Sequence, residues 1–275
     1  MANAPKPTTA KKESSGSSIF ASMSIVMCIL VGVLLWKFVM GDASNFEGGD
    51  PENGHPLPGN YFGMVYKGGY VVPVLMGLFL MVIVFSIERF FVIGKATGKG
   101  NIDLFVKKIQ GFISAGNIDS AISECDKQEG SVANVIKSGL KKYKEMETET
   151  KMDTEQKCLA IQKDIEEATA LEMPMLEQNL TVIATLVSIG TLMGLLGTVT
   201  GMIKAFAALS TAGSPDQAAL ANGISEALIN TATGIATSTV AIIMYNLFTS
   251  KIDKLTYAID EAGFSIVQTY ASTHK

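Results

Sequence analysis

Charge is scarce in this chain. Only 17% of its 275 residues are Asp, Glu, Lys or Arg, against 48% hydrophobic residues, a balance too apolar for an ordinary soluble domain. The net charge of −4 supplies no basic surface, so nucleic acid is not an expected partner. Cysteine is also sparse: Cys28, Cys125 and Cys158 form neither a disulfide framework nor a metal-ligand spacing and read as buried or idle thiols. No nucleophile is paired with a base, and neither a phosphate-loop motif nor a metal cluster is visible. The chain therefore does not read as an enzyme, and no cofactor or metal is expected.

The abundant residues are apolar, and they come in blocks. A helix needs about 20 of them to cross a bilayer. Residues 19–40, 70–93, 180–209 and 219–250 each meet that length. The expected fold is all-α: a polytopic membrane helical bundle whose long helices extend into a cytoplasmic helical domain. Around the spans lie a tail at 1–18, a loop at 41–69, the helical domain at 94–179, a turn at 210–218 and a C-terminal helix or tail at 251–275.

Of the 22 Lys and Arg residues, 18 lie in 1–18, 94–177 and 251–275, whereas 41–69 holds Lys67 alone. Positive residues favour the cytoplasmic side, which places both termini in the cytoplasm and the 41–69 loop outside. The first block follows Lys6, Lys11 and Lys12 in the manner of a secretion signal. It exceeds the about 7–15 apolar residues of a signal core, and Trp36 and Lys37 resemble an interface anchor, so a retained helix is expected.

The loop is rich in Gly, Pro, Asn and acid and reads as irregular, with His55 solvated. Glu88 and Arg89 end the second span and read as an anchor reaching headgroups. Beyond them, Ile102, Phe105, Val106, Ile109 and Phe112 or Ile113 recur at helical steps. A second helix is predicted from about 117–119 with Ala121, Ile122 and Cys125 on its apolar face, and a third over about 132–144. The charge run KYKEMETETKMDTEQK reads as a solvated turn. From Glu155 one long helix is expected to run into the third span, kinked where Pro174 interrupts it.

The third span carries GTLMGLLGTVTGM. At about 100° per residue Gly190, Gly194, Gly197 and Gly201 form one ridge, with Thr191 and Thr198 beside it. Lipid gives apolar helices little reason to associate, so small residues that admit close backbones mark a packing seam. Two readings of the threonines stay open: hydroxyls bonded back to their own helix, or a polar edge facing a protected interior.

The fourth span adds Asn222, Glu226, Asn230, Thr233 and Thr237 on one stripe and Thr231 and Ser238 on a second edge. Polar groups at membrane depth normally face a bundle interior or a wet cavity. One edge lining a passage and the other meeting a neighbouring helix or subunit favours a homo-oligomeric ring. Glu226 is the one carboxylate well inside a predicted span, either a proton-binding group or a boundary residue. Lys204 reads as snorkelling. With no intramembrane Asp or His to complete a relay, a partner would have to bring the midspan carboxylate.

GLLGTVTGM at 194–202 and GISEALINTATG at 223–234, with Tyr245 and Asn246 following, resemble the MotA/TolQ/ExbB proton-channel family, closest to its ExbB and TolQ branch. The resemblance runs from about Gly69 through Ser250 and includes IER at 87–89. It implies a multi-pass protein of the bacterial inner membrane. It also implies a homopentamer around a pore holding an ExbD- or TolR-like single-helix protein, whose aspartate carries protons, and a TonB-like energy transducer. The family's pore threonines fall on Thr198 and Thr231 and its glutamate on Glu226, with Thr191, Thr233 and Thr237 as further candidate pathway residues.

The chain departs from the family in having Thr191 and Val240 where prolines are common, and in its extra first helix. An ExbB-like function energising TonB-dependent outer-membrane transport is therefore expected. The alternatives are a TolQ-like or MotA-like stator subunit or a non-conducting membrane scaffold.

Overall fold

A computed structural model describes residues 14–52, 54–210 and 216–274, with side chains from residue 22 onward. Much of the expected tail at 1–18 and turn at 210–218 falls outside the described residues. Within them, regular structure is helical apart from one isolated antiparallel bridge between Phe46 and Pro56. Four helical stretches, within Ser22–Met40, Gly69–Ser114, Thr154–Leu209 and Gln217–Thr273, are long and apolar enough to cross a membrane. The chain is an all-α membrane bundle with helices that outrun their spans.

The chain divides into two compact units, Met1–Val84 with Leu186–Val240 and Phe85–Thr185 with Ala241–Lys275. In the first, α1 (Ser14–Leu34, closing in a π-helical turn Leu35–Met40) packs on the start of α3 (Val72–Thr97). The contact needs glycine: a Cβ on Gly32 would stand 2.7 Å from both Gly77 N and Pro73 O. Cys28 and Ser24, one and two turns earlier on the same face, are buried with it.

The loop expected to be irregular is folded. Two 3₁₀ turns, Ala43–Asn45 and Glu47–Gly49, precede the short helix α2 (Tyr61–Tyr66), whose N-cap Asn60 accepts from Gly63 N–H at 3.1 Å. Phe46 is 3% exposed, with Tyr66 edge-on at 5.4 Å and the Lys67 ammonium 5.5 Å from its ring. Trp36 stacks on Tyr66 at 4.7 Å. Asn45 Nδ2 donates to Val39 O and Met40 O, satisfying carbonyls that the end of the first helix leaves open. Gly and Pro supply the turns that composition foretold, while the aromatic residues among them supply a small core.

The second unit holds the helical insert: α4 (Ile102–Ser114), α5 (Ile118–Gln128), α6 (Gly130–Thr148) and α7 (Thr154–Glu177). Asn101 and Asn117 cap α4 and α5, and Asp153 with Gln156 forms a reciprocal capping box on α7. Ile102, Phe105, Val106, Ile109 and Ile113 are buried as the periodicity predicted, Ile113 rather than Phe112 completing the face. α6 absorbs half of the charge run, so the turn between α6 and α7 is only residues 149–153. The last helix, α9, is continuous from Gln217 to Thr273. Tyr270, fully buried near its end, donates to Met146 O at 2.9 Å.

The expected continuous mast is broken, and not at Pro174. α7 ends at Glu177, Asn179 adopts the left-handed region at φ 61°, and α8 (Leu180–Leu209) starts afresh. Arg89 explains the position of the break. It is 1% exposed instead of reaching headgroups, and its guanidinium donates to Met175 O and Leu176 O, both at 3.1 Å. The same group pairs with Glu88 at 2.5 and 2.6 Å, and Asn179 Nδ2 donates to Glu88 at 3.3 Å. A fork of five donors thus caps carbonyls at the negative end of α7.

Arg89→Ala should leave Glu88 and those carbonyls without their partner, at a cost of about 3–5 kcal/mol. A thermal melt of the purified protein should show a large fall in Tm, only partly recovered by Arg89→Lys. Burial, with Asp126 alongside, pushes the Cys125 thiol up to about 12, while Cys158 is raised by burial but half-buried. Maleimide at pH 8 should therefore label Cys158 well before Cys125, and Cys125 at full rate only after unfolding, read by peptide mass.

Candidate functional site

The site lies in the first unit, where α8 and α9 run side by side. Its frame is the glycine ridge predicted on α8, which meets a second set of small residues on α9. A Cβ on Gly201 would stand 2.7 Å from Ala227 N, one on Gly190 2.7 Å from Ser238 Oγ, and one on Gly234 2.7 Å from Gly194 Cα. Backbones this close leave no room for side chains between them, and whatever flanks the ridge must meet its opposite number.

The flanking residues are hydroxyls. Thr198 Oγ1 and Thr231 Oγ1 form a hydrogen bond across the seam, both part-buried. Two turns away, Thr191 Oγ1 donates to Ser238 Oγ at 2.8 Å. The own-helix reading is also met, because Thr198 bonds back to Gly194 O at 3.2 Å and Thr191 to Val187 O at 3.4 Å. In antiparallel helices each step of seven on one is matched by seven on the other, so the two cross-pairs share one edge. Thr191 keeps its amide, and α8 runs unbroken through it.

The other stripe of α9 faces the interior of this chain. Glu226, Asn230 and Thr237 are 8%, 0% and 0% exposed, whereas Asn222 is exposed. Asn230 Nδ2 donates to Gly68 O at 2.9 Å, and its Oδ1 is buried without a partner. Gly69, at φ 76°, packs its Cα against the Glu226 carboxylate. Thr233 and Thr237 donate to Ile229 O and Thr233 O of their own helix. Among the candidate pathway residues, these two therefore sit apart from the Thr198–Thr231 edge.

Glu226 has a charged partner. Lys204, expected to snorkel, reaches its Oε1 at 2.6 Å and lies 6.0 Å from the Tyr70 ring. The pair joins residues 22 apart in sequence on different helices, a link that no local spacing announces. Among the described residues no group of three or more metal-ligating side chains occurs.

The seam's tolerance can be measured. A Cβ at Gly197 would lie 2.6 Å from Asn230 Cγ and 2.8 Å from its Nδ2. Gly197→Ala should thus destabilise by about 1–3 kcal/mol. Gly111→Ala on α4, where a Cβ meets open space, should be neutral or gain up to about 1 kcal/mol. Paired thermal melts in detergent distinguish the two.

The part of the chain that builds this edge is similar to known proteins. The model of the MotA/TolQ/ExbB proton channel family matches residues 127–261. The Tol-Pal system protein TolQ of Pseudomonas aeruginosa is 27% identical over 157 residues, 57% of this chain and 68% of that protein. A putative biopolymer transport protein ExbB-like 3 of Synechocystis is 30% identical over 112 residues, 40% of this chain and 53% of that one. A putative ExbB homolog of Methanothermobacter thermautotrophicus is 23% identical over 198 residues, 70% of this chain and 66% of that protein. In the last two the chain spans less than two thirds of the relative's length. Over residues 127–261, which include most of α8 and α9, the chain is similar to the MotA/TolQ/ExbB proton channel family.

Proposed function

We propose that the chain is the ExbB-like subunit of a proton-driven motor in the bacterial inner membrane, with both termini cytoplasmic. Identical copies, five by resemblance to the family, surround the single membrane helix of an ExbD- or TolR-like partner. Proton influx through the assembly energises a TonB-like transducer and, through it, outer-membrane transport. No covalent chemistry is assigned to the chain.

The observation that carries this reading is the Thr198–Thr231 hydrogen bond across the seam. A hydroxyl both donates and accepts, so a facing pair can solvate a partner's carboxylate in either protonation state. Thr191 with Ser238 extends the edge. In this reading Glu226, held by Lys204, stands near the outer mouth. Thr233 and Thr237, bonded to their own helix, serve packing. One proton crossing releases about 2.3 kcal/mol per 100 mV, enough to bias a conformational step.

The TolQ-like reading is supported by the match to the P. aeruginosa protein, which covers 68% of that relative. Identification of the single-helix protein that copurifies with the chain separates the two. For the site itself, Thr198→Ala removes the shared hydroxyl. Loss of about 1.4 kcal/mol of solvation for the moving proton slows transfer about tenfold. Proteoliposomes carrying the partnered complex should show that fall in proton uptake, with Thr198→Ser close to wild type and assembly unchanged by size-exclusion chromatography. Undiminished flux in Thr198→Ala would remove the pair from the pathway.

A further inference from the structure

In the second unit, a separate open cleft of about 550 Å³ forms where α3 ends and α6 begins. Gly98, at φ 75°, turns the chain after the last turn of α3, and Glu129 and Gly130, at φ 57° and 83°, do the same before α6. The two turns are bonded to each other: Lys99 N–H donates to Gln128 O at 2.6 Å and Gln128 Nε2 to Thr97 O at 3.2 Å. The first turn of α6, a 19-residue helix, lines this cleft with no side chain capping it. Such a terminus presents open amides and about half a positive charge.

A second observation points to a ligand. Ser131 is 3% exposed and lines the cleft, and its hydroxyl has no hydrogen-bond partner among the described residues. Lys95 lines the same space and forms no ion pair among them. The Ser131 hydroxyl opens into the cleft, where it can donate to a bound acceptor.

Charge balance narrows the ligand. Lys95 and Lys99 face Glu129 and Glu172, so the lining is formally neutral. Lys99 is held by Glu129 at 2.5 Å, and Glu172 accepts from Asn134 at 3.2 Å. A free cation at Lys95 beside a helix N-terminus suits a single phosphate, and Glu172 suits an ammonium. Val92 and Met175, at the end of the span, give the cleft an apolar rim.

We propose that this cleft binds the headgroup of a zwitterionic aminophospholipid. The phosphate diester rests on Ser131, Lys95 and the first-turn amides of α6, the ammonium faces Glu172, and the acyl chains run back along Val92 and Met175. The site is independent of the proton-pathway reading.

Native mass spectrometry of the full-length protein, titrated with phosphatylethanolamine, phosphatidylcholine or phosphatidylglycerol, tests it by the fraction carrying one lipid. Phosphatidylethanolamine should be retained about tenfold better than either other lipid. Ser131→Ala and Lys95→Ala should each lower that retention several-fold, and Glu172→Gln should abolish the preference over phosphatidylglycerol. Equal retention of all three lipids, or retention unchanged in these variants, overturns the proposal. Soluble glycerophosphoethanolamine should compete only weakly; full displacement at matched concentration would assign the site to a free phosphate ester and overturn the lipid.

Discussion

The approach of α8 to α9 without intervening side chains is the constraint from which the rest of the membrane part follows. Apolar helices in hydrocarbon gain nothing by leaving lipid, so their association depends on dispersion between close surfaces and on hydrogen bonds. Gly194 against Gly234 provides the first, and the threonine and serine pairs provide the second. The two are linked by reach. A hydroxyl sits one bond beyond Cβ, so Thr198 and Thr231 can meet only because the glycines beside them bring the backbones together.

The same geometry sorts the polar residues of α9. Glycines on the ridge leave space for the Asn230 side chain opposite Gly197, and Asn230 then ties α9 to the Gly68 carbonyl. The stripe with the most polar atoms is thereby turned into the chain, while the smaller hydroxyl edge stays partly open.

Much of this was legible from residue spacing. Apolar length located the spans, the 3.6-residue rhythm located the core of α4, and the glycine ridge with its flanking threonines located the seam. Features made by partners distant in sequence were not. The break at Asn179 depends on Arg89, 90 positions earlier, whose guanidinium caps the end of α7. From sequence a Pro at 174 was the stronger signal, yet a helix can continue past a proline, whereas one whose terminal carbonyls are already held can stop. The loop at 41–69 was obscured for a different reason. Its turn-forming residues outnumber the few aromatics, Phe46, Tyr66 and Trp36, that give it a core, and composition reports the majority.

The bridge between Lys204 and Glu226 bears on how the chain enters a bilayer. A charged side chain deep in hydrocarbon costs about 2.5–3.5 kcal/mol on biological insertion scales, less toward the interface. Delivered singly by the translocation machinery, α8 would carry a bare ammonium and α9 a bare carboxylate. Delivered as a hairpin, the two arrive already neutralised, so biogenesis favours holding the earlier helix at the lateral gate until its successor emerges.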